Sequence, residues 1–178
     1  MSLKNGIIEK LKEISGSILL IGIYDQIAFQ VVDNNDKITD CMIINDNKFT
    51  YNNLDQTKGR IKHYNIKKIR KTFKKKTLDN IVANYNEIKK KMHHFIKNSI
   101  YINKGKIFIY CEKDVDYDEL IRRYKRYNTT INETKNEDYT LIEIDTSKAK
   151  NNRLKDIKYT ISDIIYIGVD FIGDLLTN

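Results

Sequence analysis

Two short apolar runs near the start of the chain are each followed by residues that could bind a nucleotide. The run 17–24 contains Gly22 and is followed by Asp25, and the run 41–44 ends two residues before Asp46. In a nucleotide-binding βαβ unit, a glycine after the first strand lets the backbone approach the ligand, and an acid about 20 residues later hydrogen-bonds the ribose. The spacing therefore predicts a ligand crevice with Gly22 and Asp46 at the carboxyl ends of two parallel strands.

The elements that must position these residues alternate between helix and strand. Apolar residues at a period of two or in short continuous runs indicate strands, and apolar residues three and four apart indicate helices. The predicted strands are 17–24, 37–44, 61–66, 78–85 and 106–111, the predicted helices are 7–14, 27–32, 88–100 and 116–127, and an antiparallel hairpin pairs 129–134 with 139–146.

This order predicts a single α/β domain over the 178 residues. Strands that alternate with helices form a mostly parallel sheet with right-handed crossovers and helices on both faces, and the hairpin adds an antiparallel edge. We expect a leading helix over 1–16, the α/β sheet over 17–146 and a C-terminal helix over 150–178.

The cysteines, the lengths of the apolar runs and the histidines indicate the cellular compartment and whether a metal site is expected. Cys41 and Cys111 each lie inside an apolar run, which favours buried thiols in a reducing cytoplasm over a disulfide. No apolar run is long enough to span a bilayer, so we expect a soluble cytoplasmic protein. His93 and His94 are helix neighbours that point in different directions, and no metal site is expected.

Over 7–146 the order of elements resembles that of the class I S-adenosylmethionine-dependent methyltransferases, whose parallel sheet also closes with an antiparallel hairpin. The closest likeness is in 78–112, where Leu-Asp-Asn-Ile-Val-Ala-Asn, the helix His-Phe-Ile-Lys-Asn-Ser-Ile and then Lys-Gly-Lys-Ile-Phe-Ile look like the family's fourth strand, next helix and fifth strand. The resemblance implies a three-layer Rossmann-like fold, S-adenosylmethionine as cofactor and methyl transfer to an acceptor that the sequence does not name.

The resemblance also implies which residues meet the cofactor. Gly22 matches the first glycine of the family's cofactor loop, while Tyr24 and Gln26 stand where later glycines are expected. The Asp/Asn-Pro-Pro-aromatic motif of many amino-group methyltransferases is absent, because the chain has no proline. By this resemblance the cofactor site consists of Gly22, Tyr24, Asp25, Asp46, Asn84 and Tyr85.

A lysine-rich segment over 58–76 supports an alternative function. The chain carries a formal net charge of +8, and cations with interleaved aromatic residues can bind phosphates and stack on bases. The other interpretation is a solvated surface in a lysine-rich chain. In the alternative function, the protein is a non-catalytic binding or assembly module that contacts nucleic acid through Lys67, Lys68, Arg70, Lys71, Lys74 and Lys75.

The end of the chain, 150–178, carries an apolar stripe at helical spacing. The stripe has more apolar surface than a solvent-facing helix needs, and its acids make a membrane-surface helix the weaker interpretation. We expect this helix to mediate a homodimer. Its apolar residues include Ile157, Ile161, Ile164, Ile165, Phe171, Ile172, Leu175 and Leu176.

Overall fold

A computed structural model describes residues 3–23, 27–28, 31–32, 34–44, 61–63 and 73–149. Within these ranges the chain alternates helix and strand and ends in a hairpin, and residues 27–28 and 31–32 are helical. A 3-10 turn at Lys89–Lys91 separates two of the helices. The elements are α1 Leu3–Glu13, β1 Gly16–Ile21, β2 Ile38–Ile44, β3 Ile61–His63, β4 Leu78–Asn84, α2 Tyr85–Ile88, α3 Met92–Ile102, β5 Asn103–Glu112, α4 Asp118–Lys125, β6 Thr130–Lys135 and β7 Tyr139–Asp145.

The seven strands form one sheet in the order β3-β2-β1-β4-β5-β7-β6. The first five in sequence are mutually parallel, and β7 lies antiparallel to both β5 and β6. The chain starts β1 in the middle of the sheet, moves outward to β3 and then returns to the other side of β1 with β4. The carboxyl ends of β1 and β4 therefore meet where the direction of winding reverses, which is the place where open α/β sheets bind ligands.

Apolar side chains are buried on both faces of the sheet. Ile18 and Leu20 of β1 pack with α1 in one cluster, while Leu19 and Ile21 pack with α3 and α4 in the other. Because the central parallel strands are covered on both sides, they are continuous apolar runs. This arrangement confirms the predicted three-layer α/β fold with its antiparallel edge.

Element boundaries differ from the predicted ones for local reasons. The first strand ends at Ile21 and not at residue 24, because Gly22 has φ +65 and turns the chain out of the sheet. The strand predicted over 106–111 begins earlier, at Asn103, so that the Lys-Gly pair at 104–105 lies inside β5. The helix predicted over 88–100 starts earlier, at Tyr85, and the 3-10 turn interrupts it.

Two further predictions concern the cysteines and the end of the chain. Cys41 and Cys111 are buried free thiols, as the sequence predicted. None of the described helices has the length and apolar composition that crossing a bilayer requires. The predicted C-terminal helix over 150–178 lies outside the described residues.

Candidate cofactor crevice

The carboxyl ends of three parallel strands meet at Gly22. Ile21, the last residue of β1, is in register with Ile44 of β2 on one side and with Ala83 of β4 on the other. The Gly22 N–H donates to the Ile44 carbonyl at 3.2 Å, which ties the turn after β1 to the end of β2. Gly22 therefore lies at the base of the crevice that the reversal in strand order creates.

Only glycine fits this position without strain. Its φ of +65 lies in the left-handed region that side chains disfavour. A Cβ placed there would also overlap Glu87, 2.8 Å from its Cβ and closer still to its Cγ, and would lie 3.4 Å from the Asn84 Cβ. Residues that follow β4 therefore pack directly on the turn that follows β1.

Asn84 ends β4 and begins α2. Its backbone is extended, with φ −85 and ψ 127, and its side-chain Oδ1 accepts a hydrogen bond from the Asn86 N–H at 2.9 Å. This is an N-cap, and Glu87 in the first helical turn lies where the positive end of the helix dipole favours an acid. The cap turns the chain sharply, so that Asn84 and Glu87 both lie beside Gly22.

Tyr85 points away from the crevice into the core. Its side chain is only 6% exposed and packs in the cluster formed with α3 and α4. The hydroxyl donates to the Asp116 carbonyl at 3.0 Å, and burial, helped by the nearby Cys111, Asp116 and Glu119, raises the pKa of Tyr85. Tyr85 therefore links the end of β4 to the connection between β5 and α4.

A cleft of about 490 Å³ opens beside that connection, at the same end of the sheet. Its walls are the β5–α4 connection and the β6–β7 turn, which are joined by the Lys113 N–H donating to the Asp138 carbonyl at 3.2 Å. The Tyr117 hydroxyl donates to Glu133 at 3.0 Å and fixes one wall. The cleft has the size of a small-molecule site, and its lining is Lys113, Asp114, Val115, Asp116, Tyr117, Asp118, Lys135, Asn136, Tyr139 and Thr140.

The structure brings together some of the residues that the sequence predicted for the site. Gly22 and Asn84 are neighbours at the crevice, and Tyr85 lies next to them but faces the core. The other predicted cofactor residues, Tyr24, Asp25 and Asp46, lie outside the described residues.

Few of the predicted nucleic-acid residues are described. Lys74 and Lys75 are exposed and precede β4, so they lie at the end of this strand opposite to Asn84. Lys67, Lys68, Arg70 and Lys71 lie outside the described residues. Within the described part of the chain, no three His, Cys, Asp or Glu side chains come together as metal ligands would.

Sequence reasoning missed Glu87, the side chain that covers Gly22. A signal for it exists, because Asn84 and Glu87 have the spacing of an N-cap and its third helical residue, a pattern that marks a helix start. A helix that starts directly after β4 places Glu87 in its first turn, facing back toward the strand ends.

The strand order, the winding reversal at Gly22 and the antiparallel hairpin together define a Rossmann-like α/β fold. Solved structures bear this out at the level of the fold. The chain is similar to a SAM-dependent methyltransferase from Aquifex aeolicus, with TM-score 0.62 and 9% identity over 82% of this chain and 90% of that one.

Two further structures show the same similarity. M. capricolum TrmK, solved in complex with S-adenosyl-homocysteine, matches with TM-score 0.58 and 15% identity over 88% of this chain and 74% of that one. An O-methyltransferase family protein from Burkholderia thailandensis matches with TM-score 0.55 and 11% identity over 80% of this chain, which spans only 56% of that protein. No protein-family model matches the chain, and no curated protein matches it either.

Proposed function

We propose that this protein is an S-adenosylmethionine-dependent methyltransferase. The observation that carries the proposal is the position of Gly22, a left-handed glycine at the point where the ends of β2, β1 and β4 meet. Similar sheets in known proteins belong to methyltransferases, some of them solved with the cofactor or its product.

The residues at the crevice fit such a cofactor. Gly22 has no side chain, and the Glu87 stem packs in the space that a side chain there would occupy, so a ligand in the crevice would lie beside Glu87. In this proposal the turn 22–26 and Asn84 line the crevice, and Asp46 holds the ribose through its carboxylate. When bound, S-adenosylmethionine supplies an activated methyl group.

The cleft beside the β5–α4 connection is the proposed entry for the methyl acceptor. It lies at the same end of the sheet as Gly22, and Tyr85 connects it to the end of β4 through the hydrogen bond to Asp116. Transfer of a methyl group to a good nucleophile requires mainly that donor and acceptor are held close and aligned. The proposal therefore assigns positioning to these residues and assigns no catalytic base.

Calorimetric titration with S-adenosylmethionine and S-adenosylhomocysteine tests this proposal. We expect the wild-type protein to bind both ligands. We expect Asp46→Asn to lower the affinity for each ligand by about tenfold, because the loss of a charged hydrogen bond costs about 1.5 kcal/mol or more. Asp36→Asn is the matched control, because Asp36 is exposed in the turn before β2 and its replacement removes the same charge. If the wild-type protein gives neither heat nor a thermal shift with either ligand, the methyltransferase proposal is wrong.

A non-catalytic module that binds nucleic acid through the basic segment 58–76 is the second proposal. The exposure of Lys74 and Lys75 supports it, because exposed lysines can neutralise phosphates. The two proposals concern opposite ends of β4, so experiments can separate them.

A further inference from the structure

Glu87 covers the base of the crevice. The space that a side chain on Gly22 would occupy is filled by the Cβ and Cγ of Glu87. The methylene stem of Glu87 therefore lies on the glycine, while the residue as a whole is exposed. Its carboxylate is one bond beyond the Cγ and therefore lies close to Gly22. Among the described residues no cation forms a salt bridge with it.

In the described part of the turn, the Gly22 N–H is not available to hold a phosphate. Phosphate groups bind to backbone N–H groups that point at them from a glycine-rich turn or a helix N-terminus. Here the Gly22 N–H already donates to the Ile44 carbonyl at 3.2 Å. A ligand at this turn therefore meets the Glu87 carboxylate and no available donor from Gly22.

We propose that Glu87 determines the specificity of the crevice by charge, favouring a cationic ligand and disfavouring phosphate-bearing nucleotides. This inference rests on the proposed function and deepens it. S-adenosylmethionine and S-adenosylhomocysteine differ by one methyl group and by the positive charge on sulfur. A carboxylate beside Gly22 attracts the charged sulfonium and not the neutral thioether, so it favours substrate over product.

The expected size of this effect is modest because Glu87 is exposed. Two unit charges about 4 Å apart in water interact by about 1 kcal/mol, which corresponds to roughly a fivefold change in affinity, and salt reduces it further. We therefore expect the effect to be clear at low ionic strength and to shrink as salt is added.

The test compares Glu87→Gln with the wild-type protein, because glutamine keeps the stem and removes the charge. We expect Glu87→Gln to lower the affinity for S-adenosylmethionine by about threefold to tenfold and to change the affinity for S-adenosylhomocysteine by less than about twofold. We also expect it to raise the affinity for ADP. Glu13→Gln is the control, because Glu13 is exposed at the end of α1, just before β1 begins, and therefore lies at the end of the sheet opposite to the crevice. This change should leave all three affinities unchanged.

Two outcomes would overturn the inference. Equal changes for S-adenosylmethionine and S-adenosylhomocysteine in Glu87→Gln, or a result that matches the Glu13→Gln control, would show that Glu87 does not discriminate by charge while leaving cofactor binding established. If the wild-type protein binds neither adenosyl ligand, the proposed function fails and this inference fails with it.

Discussion

Gly22 is constrained both by its own backbone and by its neighbours. Its positive φ disfavours any residue with a Cβ, and the Glu87 stem occupies the space where that Cβ would lie. The same residue therefore ends β1 and allows α2 to pack closely on the turn.

We expect Gly22→Ala to destabilise the fold by about 1 to 3 kcal/mol, from the left-handed backbone together with the overlap with Glu87. The double variant Gly22→Ala with Glu87→Ala should recover the part that comes from overlap with the Glu87 Cγ. It should keep the part that comes from φ and from the Cβ of residue 87, which alanine retains. Urea unfolding of the wild-type protein, the two single variants and the double variant measures both parts.

Glu87→Ala alone is the control and should lie within about 0.5 kcal/mol of the wild-type protein, because the residue is exposed. If Gly22→Ala has the same free energy of unfolding as the wild-type protein, the strain assigned to this turn is wrong.

At this scale, the sequence predicted that Gly22 and Asn84 lie together, because strand ends are marked by a glycine or an amide after an apolar run, and the structure places them side by side. The sequence does not determine the direction of Tyr85, because an aromatic residue after a strand can face either a ligand or the core. Packing against α3 and α4 decides between them. The direction of the Glu87 side chain likewise depends on the cap at Asn84.

Helices α3 and α4 are joined by a buried hydrogen-bond chain. The Ser99 hydroxyl donates to the Ile96 carbonyl at 2.9 Å and accepts from the Tyr124 hydroxyl at 2.8 Å. Tyr124 is fully buried, and this burial raises its pKa, so the hydroxyl stays protonated and acts as a donor. The chain fixes α4 against α3 and thereby supports the β5–α4 connection that forms one wall of the cleft.

Ser99→Ala should cost about 1 to 3 kcal/mol of unfolding free energy, because it leaves the Tyr124 hydroxyl buried without its acceptor. The double variant Ser99→Ala with Tyr124→Phe should be more stable than Ser99→Ala, since removing both partners leaves no buried polar group unsatisfied. Denaturant unfolding of the two single variants and the double variant measures the coupling. Additive costs would show that the two hydroxyls do not depend on each other.

The sequence predicted these elements well where apolar patterns are regular and less well at their ends. The strand β5 continues back to Asn103, which is in register with Leu78. Lys104 and Gly105 lie at an irregularity in the β4–β5 pairing, where Gly105 lies against the Asp79 carbonyl and a Cβ would not fit. A turn and a strand position that needs glycine have the same sequence signal. Only the neighbouring strand distinguishes them.

The crevice and the described part of the basic segment lie at opposite ends of β4. Lys74 and Lys75 precede β4, whereas Asn84 ends it, and seven residues of strand at about 3.3 Å each place them roughly 20 Å apart. Lys76, the next residue, is held inward because its ammonium donates to the Asn103 and Thr146 carbonyls at 2.7 and 3.2 Å. Nucleic acid bound by the described part of the basic segment would therefore lie away from the crevice.

Under the second proposal, the protein should retain RNA or DNA in a salt-sensitive way, and charge reversal of Lys67, Lys68, Lys74 and Lys75 to Glu should abolish that retention. A filter-binding assay at several salt concentrations measures the effect. The matched control reverses four other lysines that are exposed and lie outside this segment: Lys4, Lys37, Lys125 and Lys148. Equal losses in both variants would show that only net charge matters and would contradict a site in 58–76.

At the scale of the molecule, the alternation of helix and strand predicted the layers, the parallel sheet and the antiparallel edge. It could not supply the position of each side chain at the crevice, because those positions depend on contacts between residues more than 60 apart in sequence, such as Gly22 and Glu87. Self-association through 150–178 stays a prediction.

The most direct test of the central claim is a crystal structure of the protein with S-adenosylhomocysteine. We expect ligand density at the carboxyl ends of β1 and β4, in contact with the Gly22 backbone and beside Glu87. Density at the other end of the sheet, or a crevice still filled by the protein's own side chains at saturating ligand, would contradict it.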